Sequence, residues 1–513
     1  MTKGLGKRKR LATCPVLMFE NLPECIVQLI WEFLPMYDGV LLSSVSSEIN
    51  RALRTEIHSV RLLRRVVTVD GVCLDKQIRH ARSNRGTNTL SFRVAAVPRK
   101  TLKLFSVCEA MRFILQSSSV KQVEFADGIC ALALSKMLVS ARQNSFESVS
   151  LSNAMGYFAY NRQAKASLAE LGNMKTKKLD VVESYIGYET LSRLLLAISR
   201  IQSLRAIRIC TTWIEVEQTC YLARAIRRCS EICVSKCGLT SGHVRVLEDV
   251  LETCNIRKLD LSFNAIGCDG INRLLALLSR ANNSALHTLA LESTLDYIDD
   301  ENGDSWDCVI FDTFCKAQPN LEVLDLGSNF LDDDFIYGNK KAFKRLKNLR
   351  TLKLAHNFIT DYGVYKLSRF ENKITNLDLN ENPINSINVT HFTSRLFHHV
   401  QVLNMGGARL FNESLTTLTT CARMGIAFMN ISHLYMDNCD FSDAHIYFIF
   451  DLVLNLTHLS ILGLEDNQFS NYSHNYFCDQ LKKITDREVC ILMLDNLIDQ
   501  TSEVPAPHCI ITS

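Results

Sequence analysis

The feature that most limits how this chain can fold is a period. From its middle onward one spacing of side chains recurs: apolar at positions one, four and six, Asn, Cys or Thr at nine, and apolar again at eleven. Ile256, Leu259, Leu261, Asn264 and Ile266 make one copy; Leu321, Leu324, Leu326, Asn329 and Leu331 make another. Leu349, Leu352, Leu354, Asn357, Ile359 and then Ile374, Leu377, Leu379, Asn382, Ile384 follow, and Leu459, Leu462, Leu464, Asn467, Phe469 repeat the spacing further on. Cys237 and Cys439 take the Asn place in their own copies. No unit this short can bury its own apolar stripe, so the copies must stack on one another.

Copies start at Val120, Phe146, Thr176, Leu204, Cys229, Ile256, Leu286, Leu321, Leu349, Ile374, Val400, Ile431, Leu459 and Val489, in steps of 25 to 35 residues. The template is that of leucine-rich repeats. Its long step leaves room for a helix after each strand and turn, and Gly270 to Leu278 carries apolar residues at helical spacing. In this it resembles the ribonuclease-inhibitor and F-box subclasses of those repeats. The fold expected is α/β: a curved solenoid of about 14 repeats, parallel sheet inside and helices outside. Positions four and six face the core. The Asn or Cys at nine serves the backbone where the chain leaves the strand, because no ladder pairs those groups.

Residues 19 to 53 lie outside the period. Leu22-Pro23 opens a short helix that Pro35 stops; Ile26, Val27, Ile30 and Leu34 are spaced along it, and Asp38 comes four residues after Leu34. This segment resembles an F-box, with Gly39, Ser46 and Ile49 departing from the family's usual residues. The resemblance implies that Leu22, Pro23, Ile26, Ile30, Leu34 and Asp38 dock a Skp-type adaptor. The other reading is a helical cap over the solenoid's first open edge. The domain layout expected is a basic tail at 1–16, an F-box-like helical module at 17–60, a linker or degenerate first repeats at 61–119, the solenoid at 120–499 and a tail at 500–513.

In the expected solenoid, positions two, three, five, seven and eight face the concave side. Early copies place Lys177, Lys178, Arg205, Arg208, Lys236, Arg257 and Lys258 there, against Asp180, Glu183, Glu231 and Asp260. Later copies place Glu292, Glu322, Asp325, Asp378, Glu381, Asp437, Glu465 and Asp466 there, relieved by Arg350, Lys353 and His356, with Tyr435 as a candidate aromatic anchor. The concave face is thus expected to be basic at one end and acidic at the other. A target protein that contacts both ends is the partner expected.

Other classes fall away. A chain of 513 residues with 47% hydrophobic and 22% charged residues and 8 Pro is neither disordered nor collagenous. Its net charge of +3 gives no global field for nucleic acid or membrane. No run reaches the ~18 to 20 apolar residues of a membrane span, and Leu11 to Phe19, broken by Pro15, is a poor signal peptide. The chain reads as intracellular: cytoplasmic, or nuclear if Lys7-Arg8-Lys9-Arg10 is an import signal. The 19 cysteines contain no C-x-x-C pair, and Cys229, Cys233 and Cys237 on one strand would stand ~13 Å apart in turn, too far to share a metal. The acidic stretch Asp296 to Ser305 lacks EF-hand spacing, and Asp332 to Asp334 follows it.

No nucleophile with a partner, phosphate loop or metal-spaced set is evident, so no catalytic residue, metal or cofactor is expected, and the chain is not read as an enzyme. Together the two resemblances imply a substrate receptor of a cullin-RING ubiquitin ligase, holding its target on the repeats. A repeat scaffold without a ubiquitin role is the plainer alternative. Ran GTPase-activating proteins use similar repeats but typically end in an acidic segment, which the last residues here, Ser502 to Ser513, do not supply.

Overall fold

The structure, a computed structural model, describes residues 66–68, 90–94, 120–125, 145–152, 168–182, 186–280, 285–295, 306–386, 396–410, 412–425, 430–484, 486–498 and 509–511. The F-box-like segment and the acidic stretch 296–305 lie outside the described residues. The chain divides into two compact units, Met1–Thr176 and Lys177–Ser513.

In the first unit β1 (Val66–Thr68), β2 (Leu90–Val94), β3 (Val120–Phe125) and β4 (Ser145–Ser152) form a parallel ladder, each strand beside the next. Val123 opposes Val149, Phe92 opposes Val123, and Val67 opposes Phe92. Position four of the template therefore continues two strands upstream of Val120, into the stretch read from sequence as a linker or degenerate repeats.

Among its described residues the second unit holds 13 parallel strands. They are β5 (Lys175–Val182), β6 (Ala206–Cys210), β7 (Glu231–Ser235), β8 (Lys258–Asp260), β9 (Thr288–Ala290), β10 (Val323–Asp325), β11 (Thr351–Lys353), β12 (Asn376–Asp378), β13 (Val402–Asn404), β14 (His433–Tyr435), β15 (Ile461–Gly463), β16 (Cys490–Leu492) and β17 (Cys509–Ile511). Each pairs with the next, and the position-four residues Leu259, Leu289, Leu324 and Leu352 oppose one another in turn. The same register runs from Leu377 to Ile510. Two details differ from the sequence reading. Ile491 opposes Leu462, so its copy starts at Glu488 and not at Val489, which puts Asn496 at position nine. Cys490–Leu492 is apolar on both faces, so the local pattern could not fix the register. The strand Cys509–Ile511 occupies part of the stretch read as a tail.

Burial follows the template. Ile256, Leu259, Leu261 and Ile266 are each at most 3% exposed, and the equivalent residues from Leu349 to Ile359 are fully buried. Each strand ends at position eight with a left-handed residue: Lys236, Phe263, Ser293, Ser328, His356, Glu381, Gly407, Asn438 and Asp466 all have positive φ. Such a conformation costs a non-glycine residue roughly 1–2 kcal/mol. It persists because the next residue binds the backbone on both sides of the turn. Asn357 accepts from the N–H groups of Asn329 (3.0 Å) and Leu331 (2.9 Å) and donates to the carbonyls of Leu326 (3.0 Å) and Leu354 (2.9 Å). Asn264, Asn329, Asn382 and Asn467 repeat the arrangement, each reaching into the copy before its own. Cys237 and Cys439 fill the same place with thiols that donate to Ile209 and Met405 carbonyls at 3.4 and 3.5 Å. These residues are structural, as their position required.

The return path in most copies is a helix: α1 (Tyr188–Ile198), α2 (Thr219–Ile226), α3 (Ser241–Thr253), α4 (Gly267–Arg280), α5 (Cys308–Ala317), α6 (Asp333–Gly338), α7 (Lys340–Arg345), α8 (Asp361–Ser368), α9 (Asn412–Arg423), α10 (Ile446–Asn455) and α11 (Asn471–Leu481). In α4 the buried face is Cys268, Ile271, Leu274, Leu275 and Leu278, spaced three and four apart. The unit is thus the leucine-rich-repeat solenoid that the period required, parallel sheet on the concave side and helices outside. Asp332, one of the acidic trio, caps α6 by accepting from the Phe335 N–H at 3.0 Å. Asp333 accepts from the Thr360 N–H at 2.9 Å, so the trio is largely committed to the fold.

Candidate functional site

Along a strand whose positions four and six are buried, the residues between them must point the other way, onto the open face of the sheet. On β5 to β8 that face is basic. Lys177, Lys178, Arg205, Arg208, Lys236, Arg257 and Lys258 are all exposed. Lys178 pairs with Asp180 at 3.4 Å. Arg205 is held in place by donating to the Leu204 and Gln202 carbonyls at 2.7 and 3.2 Å. Lys177, Arg257 and Lys258 form no salt bridge among the described residues. Two aromatic rings stand beside this patch: Trp213, 66% exposed, lies against Gly238, and Phe263 carries the Lys236 ammonium 4.7 Å from its ring centre.

From β9 onward the face turns acidic. Glu322 and Asp466 are exposed, while Asp378, Glu381, Tyr435, Asp437 and Glu465 are half-buried. Asp325 differs from its sequence assignment: it is only 7% exposed and pairs with Lys353 at 3.0 Å, so it presents no free carboxylate. Burial raises Glu292, with Asp325 adding to the effect; burial likewise raises Asp378. Further along, Glu381 accepts from the Asn438 side chain at 3.0 Å and lies over Gly407. Asp437 accepts from the Glu465 N–H at 2.8 Å, and burial lifts its carboxyl to about 6, with Glu465 and Asp466 as like charges. Tyr435 stands beside it, its phenol raised by burial and then by Asp437. A side chain in place of Gly463 would collide with both Tyr435 and Asp437, so this glycine makes the space they occupy.

The structure thus brings the predicted basic residues into one patch and the acidic ones, Asp325 apart, into another. It also separates the three cysteines that sequence grouped. Cys229 and Cys237 are buried thiols pushed up to about 12 by burial, whereas Cys233 faces the open side. Its neighbour there is Cys210, one strand away, which no spacing along the sequence indicates. The adaptor residues Leu22, Pro23, Ile26, Ile30, Leu34 and Asp38 lie outside the described residues. Among the described residues no group of three or more His, Cys, Asp or Glu side chains is placed to hold a metal, and no helix is long and apolar enough to cross a membrane.

No protein-family model and no curated protein matches this chain. Solved structures do. One is the mouse RP105/MD-1 complex, at 14% identity and a TM-score of 0.36, with 82% of this chain and 61% of that chain covered. The TLR13–ssRNA13 complex matches at 14% identity and a TM-score of 0.37, covering 82% of this chain and 71% of that one. An internalin (inlF) from Listeria monocytogenes matches at 12% identity and a TM-score of 0.30, covering 87% and 88%. The chain therefore spans about 61% of the RP105 chain, the first of these.

Proposed function

We propose that this chain is a protein-binding repeat scaffold that captures a target on the concave face of its second unit. The observation that carries the reading is the exposure of Lys177, Arg205, Arg208, Arg257 and Lys258 on one stretch of the sheet, with exposed Asp466 and half-buried Glu381, Asp437 and Glu465 on another. Adjacent strands lie ~4.8 Å apart, so neighbouring like charges add their fields within a Debye length of ~8 Å. A nearly neutral protein gains in this way a face that is polar along its length. The complementary target presents acidic or phosphorylated groups to the basic stretch and basic groups to the acidic one, with Tyr435 as an anchor.

The finer reading is that the target is held for ubiquitin transfer, the chain acting as substrate receptor of a cullin-RING ligase. Its support is the sequence of the segment Leu22 to Leu53 alone. Catalysis would then be by proximity to a separately bound conjugating enzyme. Two experiments test the two levels separately. Charge reversal at Arg205, Arg208 and Arg257 should weaken target capture and flatten its salt dependence; unaltered capture at low salt would remove the basic stretch from the site. Pro23→Ala with Ile30→Asp should abolish co-purification of a Skp-type adaptor while the repeats stay folded. Retained adaptor in the double variant, or none with the parent chain, would leave the scaffold reading without its ubiquitin role.

A further inference from the structure

The indole of Trp213 is an exposed ring that the fold holds still. Its Nε1–H donates to Glu215 Oε1 at 3.0 Å, and the neighbouring Ile214 N–H donates to the Cys237 carbonyl at 3.0 Å, which ties this turn to the next copy. One face of the ring rests on Gly238. A Cβ at that position would stand 2.6, 2.6 and 2.9 Å from three consecutive atoms of the six-membered ring, Cε3, Cζ3 and Cδ2. A point above the ring can be so close to all three; a point beyond its edge cannot. Gly238 also has a φ of +70°, so glycine meets two demands at once. The other face of the ring is open, the residue being 66% exposed. The repeat does not ask for a large side chain here, since Gly238 and Ala265 hold the equivalent place in the next two copies. A ring already locked loses little freedom when a partner lies on it, and tryptophan is the side chain most enriched at such anchor points.

Charge differs from one side of this ring to the other. On the helix side stand Glu215 and Glu217, both exposed. On the sheet side Lys236 comes two residues before Gly238, exposed, with its ammonium 4.7 Å from the centre of the Phe263 ring. Arg208, Arg257 and Lys258 follow on the same open face of the sheet. Taking that face as the capture surface, we propose that Trp213 is the anchor for an acidic segment of the target that carries an aromatic side chain. The target's ring stacks on the open face of Trp213, and carboxylates on its sheet side meet Lys236 and Arg208. The orientation is fixed by charge, because Glu215 and Glu217 repel an anion placed on the helix side.

A single-stranded nucleic acid also offers rings and anions, and stacks its bases on exposed aromatic side chains. Its phosphates, however, come at every nucleotide. Here Glu231 and Asp260 interrupt the cations of the sheet, and Glu215 stands at the edge of the ring itself. A continuous phosphate backbone would meet these carboxylates, whereas a peptide can place neutral residues opposite them. The broken pattern of charge therefore favours a protein segment.

The test is a fluorescence-anisotropy titration of the full-length chain at low salt with two labelled peptides. One is a short run of Asp and Glu around a single Phe; the other has Ala in place of that Phe. The Phe peptide should bind at least about tenfold more tightly. Trp213→Ala should remove this advantage and leave the Ala peptide's affinity and the melting temperature as they were, most of the residue being in water. Trp213→Phe, which keeps a ring, should restore most of the advantage, and Lys236→Ala should weaken both peptides. Suppose instead that charge reversal at Arg205, Arg208 and Arg257 weakens both peptides while the Phe peptide has no advantage, or keeps it in Trp213→Ala. The aromatic anchor is then overturned, and capture by charge alone stands. Binding of neither peptide, or tighter Trp213-dependent binding of an oligouridine of like length, would also overturn the proposal.

Discussion

The backbone N–H of Asn329 donates to the side-chain oxygen of Asn357 at 3.0 Å, while the side-chain oxygen of Asn329 accepts from the Thr294 N–H at 2.9 Å. Asn329 thus receives from the copy before it and is itself held by the copy after it. Hydrogen bonding along the ladder couples the repeats in one direction, in addition to the stacking of their apolar stripes.

Removing one rung should therefore be felt in the preceding copy. Asn357→Ala leaves the Asn329 and Leu331 N–H groups and the Leu326 carbonyl, all buried, without this partner, at ~1–3 kcal/mol for each group that water cannot reach, while the Leu354 carbonyl keeps the Asn382 side chain at 2.8 Å. We expect a loss of about 3 kcal/mol and faster hydrogen exchange at the Asn329 and Leu331 amides. Asn357→Cys should cost less than Ala, since Cys237 and Cys439 hold this place elsewhere. Equal exchange at both amides in parent and Ala variant would remove the ladder as a source of stability.

Gly270 offers a test in which two effects have opposite signs. In an exposed helix Ala is favoured over Gly by ~1 kcal/mol. Here a Cβ would lie 2.6 Å from Ile266 Cγ2 and 3.0 Å from the Ser241 Cα, which is backbone of α3 and cannot swing aside. Overpacking costs typically ~1–3 kcal/mol and exceeds the propensity gain. Gly270→Ala should lower stability by about 1–2 kcal/mol in urea unfolding; a rise would mean that α3 and α4 can separate freely.

Much of this was legible in the sequence because the template couples residue type to direction. Leu at position four and Asn at position nine each have one place to go once the period is known. Asp325 was misread as open because position five is exposed only if its neighbours leave it so, and the Lys353 side chain from the next copy covers it. The meeting of Cys210 with Cys233 was invisible for a similar reason. It depends on β6 and β7 pairing with Arg208 opposite Cys233, a relation between copies that no single copy records. The strand at Cys509–Ile511 lay beyond the last recognisable Asn and so had no marker.

The Lys353–Asp325 pair makes that misreading testable. Asp325 has a side chain 9% exposed and sits near Glu292 and Asp378, so losing the ammonium would strand a buried carboxylate among like charges. Breaking a fully buried pair costs ~3–5 kcal/mol; with Lys353 46% exposed, about 2 kcal/mol is the expected cost of Lys353→Met. Adding Asp325→Asn should recover most of it, because an amide oxygen can still accept from the Gly327 N–H, now at 3.2 Å. A double variant no better than the single would show that lost packing of the lysine stem, and not the stranded charge, sets the cost.

Asp437 should make stability depend on pH in the sense opposite to most carboxylates. Its folded carboxyl is raised to about 6 by burial, whereas an unfolded Asp titrates near ~3.9. Between those values the folded state holds a proton that the unfolded state has lost, so this group's contribution falls as pH rises from ~4 to ~6 and stays low above that. Asp437→Asn removes the charge, and its amide oxygen can still accept from the Glu465 N–H. The variant should be more stable than the parent at pH 7, by about 1 kcal/mol after allowance for solvent around a half-buried group, and equal to it near pH 4. Denaturant unfolding of both proteins at the two pH values is the measurement. A gap that is the same at pH 4 and pH 7 would mean that Asp437 is not the group that titrates, and that the acidic stretch is solvated well enough to stay charged throughout.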